Sequence, residues 1–139
     1  MDRQRLQDAR TWVRGELERS ANFWLEHGID KEHGGVYTCL DRRGEIYSTD
    51  KSVWMQGRCG WIFAFLCSNY GLKQEWLDAS KSCLDFMEAH CFNHACGDRM
   101  YFTVTAEGRP LRQRRYYFSE AFCAIANAEY YGVTGDKSR

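Results

Sequence analysis

"KSVWMQGRCGWIFAFLCSNYG", residues 51 to 71, decides how the rest of the chain is read. From Val53 to Cys67 nearly every position is apolar whichever way a helical wheel is turned, and only Gln56 and Arg58 interrupt it. A helix that is apolar all round is covered on every side. Residues 51 to 70 are therefore expected as an inner helix, capped by Asp50 and stopped at Gly71.

Working outward, Leu6, Ala9, Val13, Leu17, Ala21 and Trp24 recur at three- and four-residue steps among charges. That spacing predicts an amphipathic helix over 4–27 with one buried face, ended at Gly28. "GGVYTCLDRRGEIYSTD", residues 34 to 50, alternates and turns at Arg43-Gly44, the pattern of a β-hairpin or a long ordered loop. After Gly71, Trp76, Ser80, Cys83, Leu84 and Met87 form a one-sided stripe, so a third helix is amphipathic like the first. Residues 100 to 112 turn again at Glu107-Gly108, and "YYFSEAFCAIANAEYYG", residues 116 to 132, predicts a fourth helix.

The order amphipathic, apolar, amphipathic, apolar describes helix pairs with one member facing water and one enclosed. The chain also repeats itself at an offset of 64 residues: Tyr37 falls on Tyr101, Gly44 on Gly108, Trp54 on Phe118, Gln56 on Glu120 and Ala64 on Ala128. Hairpin plus inner helix is one unit used twice. Repeated helix pairs either stack in a line or close in a ring, and enclosed inner helices favour the ring.

Composition excludes several function classes. The 139 residues are 44% apolar and 15% aromatic, enough for a core, and 19 basic residues cancel 19 acidic ones. No global field draws in nucleic acid or an anionic membrane, and the run Arg112, Arg114, Arg115 reads as a solvated loop edge. No uncharged apolar stretch has transmembrane length, and "MDRQRLQDAR" is too charged for a signal peptide, which gives a cytoplasmic reading. The seven cysteines lie at apolar helical positions and read as reduced thiols.

Trp54, Arg58, Trp61 and Phe65 follow one another at steps of four, three and four, one stripe on the inner helix. An arginine keeps its proton, and burying it unpaired costs several kcal/mol, so the stripe faces a carboxylate or water. Two readings stand. Arg58 forms a structural ion pair, with Glu120 on the neighbouring inner helix as partner, or the stripe lines a wet cavity. In the cavity Trp54 and Trp61 are flat platforms and Arg58 a fork for hydroxyl or oxyanion groups, a combination suited to a sugar. The histidines offer less: His27 reads as a helix end and His33 as a turn. His90 and His94, with Cys91 and Cys96 in "HCFNHACGD", lack the second ligand pair a zinc site needs, so no metal is assigned. "TGDKS", residues 134 to 138, lacks the glycine-rich approach of a phosphate loop.

"FWLEHGIDKEHGGVYTCLDRRGEIYSTDKSVWMQGRCGW", residues 23 to 61, resembles the N-terminal part of the N-acylglucosamine 2-epimerase (renin-binding protein) family, and residues 107 to 136 resemble its next unit. The resemblance implies an (α/α)6 barrel, six helix pairs in a toroid with the sugar in the central cleft. Residues 1 to 139 would be its N-terminal third, helix pairs at about 4–70 and 73–132, with the rest of the barrel absent. It implies a sugar epimerase that interconverts N-acetylglucosamine and N-acetylmannosamine by removing and returning the C2 proton, with no required cofactor and ATP as an allosteric activator. A homodimer is implied for the full-length protein. Arg58, matching the arginine of the family's W-x-Q-G-R segment, is the catalytic candidate that would hold the enediolate oxygen. Trp54, Trp61, Phe118 and Glu120 are the candidates for sugar binding. The family's bases are histidines on later helix pairs, so this segment alone is expected to be inactive. Cellobiose 2-epimerases and mannose isomerases share the barrel; Phe118-Ser119-Glu120 favours the N-acylglucosamine branch. A non-catalytic sugar- or protein-binding (renin-binding-like) module and a purely structural helical domain remain as other classes.

Overall fold

The computed structural model describes residues 2–114 and 116–137. Helix α1, Arg3–Phe23, starts where the Asp2 carboxylate accepts the Gln4 amide at 3.0 Å, and it loosens into one π-helical turn, Trp24–Gly28. Its stripe is used only at one end. Leu17, Ala21 and Trp24 join Phe63, Leu66 and Trp76 in a core cluster, whereas Leu6, Trp12 and Val13 are exposed. The expectation of one buried face is corrected for the first half of α1: periodicity marks the face able to bury, and no described residue reaches it.

Strands β1, Cys39–Leu40, and β2, Ile46–Ser48, form the first hairpin around Gly44, whose φ of +89° belongs to glycine. The next two residues depart from expectation. Lys51–Ser52 are a strand, β3, and helix α2 begins at Val53 and runs to Tyr70. Its N-cap residue is Ser52, not Asp50. The reason is a distant partner: β3 pairs with a strand some fifty residues later, Lys51 opposite Val104 and Ser52 opposite Thr103, and the Val53 amide donates to the Phe102 carbonyl at 3.0 Å.

Helix α3, Gln74–His90, buries Trp76, Ser80, Cys83, Leu84 and Met87 as the stripe requires. A small strand pair follows, β4 (Phe92–Asn93) with β5 (Arg99–Met100), around a short 3-10 turn at His94–Cys96. Then β6 (Thr103–Val104) and β7 (Pro110–Arg112) make the second hairpin, and helix α4, Phe118–Thr134, closes the described chain. With β3 on its edge, the second hairpin becomes a three-stranded sheet, ordered β3-β6-β7.

The two hairpins pair in the same register. Cys39 faces Ser48 and Leu40 faces Ile46 in the first hairpin; Thr103 faces Arg112 and Val104 faces Pro110 in the second, each with the same irregularity between the pairs. The bridge Ile29 to Val36 corresponds to the pair Phe92 to Met100, with one more residue in the second loop, so the offset is 63 before it and 64 after it. At the end of each outer helix a phenylalanine packs on a histidine, Phe23 on His27 and Phe86 on His90, both at 5.1 Å between ring centroids. Each histidine ring lies against the hairpin glycine, His27 on Gly44 and His90 on Gly108, so that a Cβ at either glycine would run into the ring.

Helix α2 sits between α3 and α4. Its contacts with α4 ascend together, Trp54 with Phe118, Gly57 with Phe122 and Gly60 with Ala126, so the inner helices are parallel. Glycine lets them approach: a Cβ on Gly57 would lie 2.7 Å from the Phe122 backbone. Against α3, the Ser80 hydroxyl donates to the Gly60 carbonyl at 2.7 Å. Alternation of outer and inner helices with short hairpins between them is thus the observed architecture, over two helix pairs. No described helix is long and apolar enough to cross a membrane.

Candidate functional site at the head of the inner helices

Both inner helices start from a hairpin, so their first turns lie side by side at one end of the molecule. Arg58, in the second turn of α2, is exposed. Its guanidinium lies 5.6 Å from the ring centroids of both Trp54 and Phe122, within the range of a cation–π contact. Trp54 in turn packs on Phe118 and Phe122, at 6.5 and 5.9 Å. On its other side Arg58 borders a cleft of about 290 Å³ between the end of α1 and α2. Trp61, Met55, Ile62 and Leu17 give that cleft apolar walls, while Ser20, Thr38 and Arg58 supply polar groups. Trp61 packs on Phe65 with tilted rings, 5.2 Å between centroids, which continues the expected stripe.

The ion pair that was one reading of Arg58 is not formed. Glu120 is bonded to Arg99 (Nε to Oε1, 2.7 Å), not to Arg58, and Arg58 has no ion pair among the described residues. The guanidinium is tolerated in its apolar segment because its helix face is open and two aromatic rings flank it.

Glu120 is held by its own hairpin. Its Oε1 accepts from Arg99 and from the Met100 amide at 3.0 Å, and Oε2 is buried with no partner among the described residues. Its accepting oxygen is thus already engaged by Arg99 and the Met100 amide, while the side chain as a whole is half-buried. Burial works to raise its carboxyl, but the bond from Arg99 and then the backbone amides outweigh it, and the group is held below the usual carboxylate range. Its repeat counterpart Gln56 does the same work one unit earlier: the buried amide accepts from Val36 N at 2.8 Å and donates to Val36 O at 2.7 Å. Val36 and Met100 are themselves repeat counterparts. This polar pair, equivalent by the repeat, clamps each inner helix to its own hairpin.

Sequence reasoning passed over Lys51 and Asp30. Lys51 is fully buried, with Nζ 2.7 Å from Asp30 Oδ2. A lysine just before an apolar helix carries no local sign of burial; the signal available was a basic residue at the same place in both units, Lys51 and Arg115. Arg115, and Ser138 of the "TGDKS" stretch, lie outside the described residues. Of the rest of the basic run, Arg112 is exposed and Arg114 lies over the Phe102 ring at 4.3 Å.

Among the described residues, only Cys59 of the remaining chemistry-bearing groups lines the cleft, and no histidine or carboxylate does. His27 and His90 are spent on their hairpin glycines, His33 stands 3.5 Å from Asp30 Oδ2, and His94 is bonded to Asp98 at 2.7 Å. Among the described residues no three His, Cys, Asp or Glu side chains are placed to hold a metal ion. The cysteines are free thiols. Burial pushes Cys91 up to about 12 and Cys123 up to about 11, so these thiols stay protonated and pack as small apolar groups.

Comparison with known proteins bears on this arrangement directly. The family model described as N-acylglucosamine 2-epimerase (GlcNAc 2-epimerase) matches residues 35–139, most of the chain, Arg58 and both inner helices included. The chain belongs to the N-acylglucosamine 2-epimerase family. The N-acylglucosamine 2-epimerase of Mus musculus is 37% identical over 137 residues, covering 97% of this chain and 33% of the mouse protein. This chain therefore spans about a third of the length of such family members. Among solved structures, a sugar epimerase from a ruminal bacterium is similar at a TM-score of 0.74 and 29% identity, covering 84% of this chain and 30% of its own. The cellobiose 2-epimerase of Spirochaeta thermophila has the same fold over 96% of this chain and 34% of its own, at a TM-score of 0.76 and 24% identity.

Proposed function

We propose that residues 1–139 are the N-terminal part of a sugar epimerase that interconverts N-acetylglucosamine and N-acetylmannosamine at C2, with an (α/α)6 barrel as the complete domain. The observation that carries this reading is Arg58: an exposed guanidinium flanked by Trp54 and Phe122, beside a cleft walled by Trp61, inside the segment that matches the family model. Epimerisation at C2 needs the open-chain sugar, removal of the proton alpha to the C1 aldehyde, and its return on the other face. The negative charge that develops on oxygen is stabilised by a fixed cation. Arg58 has the right character for that role and the wrong one for a base, because it does not release its proton. Trp54, Trp61 and Phe118 offer flat rings for the apolar face of the sugar. The two bases are assigned to parts of the family's length that residues 1–139 do not span, since no histidine lines the cleft. The same reading makes the whole protein a cytoplasmic homodimer open to activation by a nucleotide such as ATP, which gel filtration and activity with and without ATP test.

The experiment is a graft. Residues 1–139 replace the matching third of the mouse enzyme, and loss of deuterium from C2-labelled N-acetylmannosamine is followed. Exchange is expected for the graft and absent for the 139-residue chain alone. Arg58→Ala in the graft should lower kcat by roughly 10²-fold or more, the scale of losing one oxyanion-stabilising group. An active graft indifferent to Arg58→Ala would refute the assignment.

A further inference from the structure

An ammonium has three protons to give, and Lys51 places all three across the boundary between the two units. Its Nζ lies 2.7 Å from Asp30 Oδ2 and 2.8 Å from the Gly34 carbonyl, both in the first unit. The third bond, 2.8 Å, goes to the Ala106 carbonyl at the tip of the second hairpin. The Phe86 ring of α3 lies 4.2 Å from Nζ and the Tyr37 ring 5.5 Å, so aromatic faces close the remaining sides. Lys51 is 0% exposed and Asp30 2%. The second oxygen of Asp30 accepts the amides of Glu32 and His33, both at 3.0 Å, which ties the carboxylate to the turn after α1.

Such a site is expensive to build unless every donor and acceptor is met, and here each is met. An apolar side chain of the same length would take the ammonium from two inward carbonyls and from Asp30 Oδ2. What the ammonium adds to the fold is reach. The backbone pairing of β3 with β6 spans two residue pairs, and Lys51 extends the junction to the hairpin tip. The same junction sets where α2 begins, because Val53 follows β3 directly.

We propose that Lys51 is a positioning residue whose buried ammonium, bonded at once to Asp30, Gly34 and Ala106, couples the hairpins of the two units. Through them it sets the spacing between Trp54 and Arg58 at the head of α2 and Phe118 at the head of α4. The consequence for a sugar rests on the function proposed above; the coupling does not.

The test reads a change in one unit at the other. In isotope-labelled 139-residue protein, Asp30→Asn removes a group that does not touch the second hairpin. Amide exchange at Phe102, Thr105 and Gly108, whose protons bond within that hairpin, should rise by roughly tenfold, with a shift of the Trp54 indole resonance. The mid-helix amides of α3 should hold their rates. Lys51→Met should give the same pattern more strongly, and Lys51→Arg should restore part of it. Faster exchange confined to residues 28–36 would overturn the coupling and leave the pair a local staple. Should the variants fail to fold, exchange in the unaltered protein under rising urea decides: coupled hairpins open at one free energy, and separate isotherms for Gly44 and Gly108 would overturn the proposal. An inactive graft with coupled hairpins would sink the sugar reading alone; uncoupled hairpins would leave the case for Arg58 standing.

Discussion

Asp30 shows how one carboxylate links the interior to solution pH. Burial works to raise its proton affinity, but the bond from Lys51 and then the amides of His33 and Glu32 outweigh it, leaving the group below its ordinary 3.8. The folded protein therefore binds that proton less tightly than the unfolded chain does. The resulting stability is fully present above the unfolded value and is lost as the pH falls through the folded one. In urea titrations at about pH 6 and about pH 2.5, the native chain should outlast Asp30→Asn by a wide margin at the higher pH and a narrow one at the lower. A margin independent of pH would contradict the ionised pair. None of this was legible locally: residues 30, 34, 51 and 106 meet only in space. Arg58 was legible, because a charge inside an apolar helix poses its own question; that its partners would be Trp54 and Phe122 depended on where α4 lies.

At the scale of elements, each inner helix is fastened to its hairpin by one side chain in its first turn. Gln56 satisfies both the amide and the carbonyl of Val36, and it is fully buried. Gln56→Leu keeps the bulk and leaves both backbone groups unpaired, a loss of about 2–6 kcal/mol at roughly 1–3 kcal/mol for each group. Equilibrium urea denaturation measures it, and a loss below about 1 kcal/mol would show that water replaces the clamp. The repeat at 64 residues already paired Gln56 with Glu120. Position alone cannot say whether a recurrent polar residue meets a ligand or a hairpin. The clamps answer for both, with Val36 under Gln56 and Met100 under Glu120. The boundary at residues 51–53 was misread for a related reason. Local pattern favours a helix from Lys51, but the open edge of the second hairpin draws Lys51 and Ser52 into a sheet.

For the molecule as a whole, the outer flank of α4 stands bare. Phe118, Ala121, Ile125, Ala128 and Tyr131 are exposed and follow one another at helical spacing. An uncovered apolar stripe of this kind associates in water. The 139-residue chain should self-associate in sedimentation velocity at micromolar concentration, and Ile125→Glu should shift it toward monomer without changing its helical circular dichroism. Monomeric native protein would show instead that two helix pairs suffice as an independent body.

What the sequence by itself determined was periodic: two outer helices, two inner ones, a hairpin before each inner helix, and a guanidinium in a place that demanded an explanation. These follow from patterns a few residues long, 3.6 for helix and 2 for strand, and from a repeat that the eye can align. Only the tertiary structure decided which polar groups are sealed and which are open. Lys51 went inside because three acceptors distant in sequence converge on it, Glu120 is half-buried and tied down by its own hairpin, and Arg58 stayed open because no described residue covers its face of α2. Burial is a property of what comes to lie against a side chain, and that is set by contacts across the whole chain.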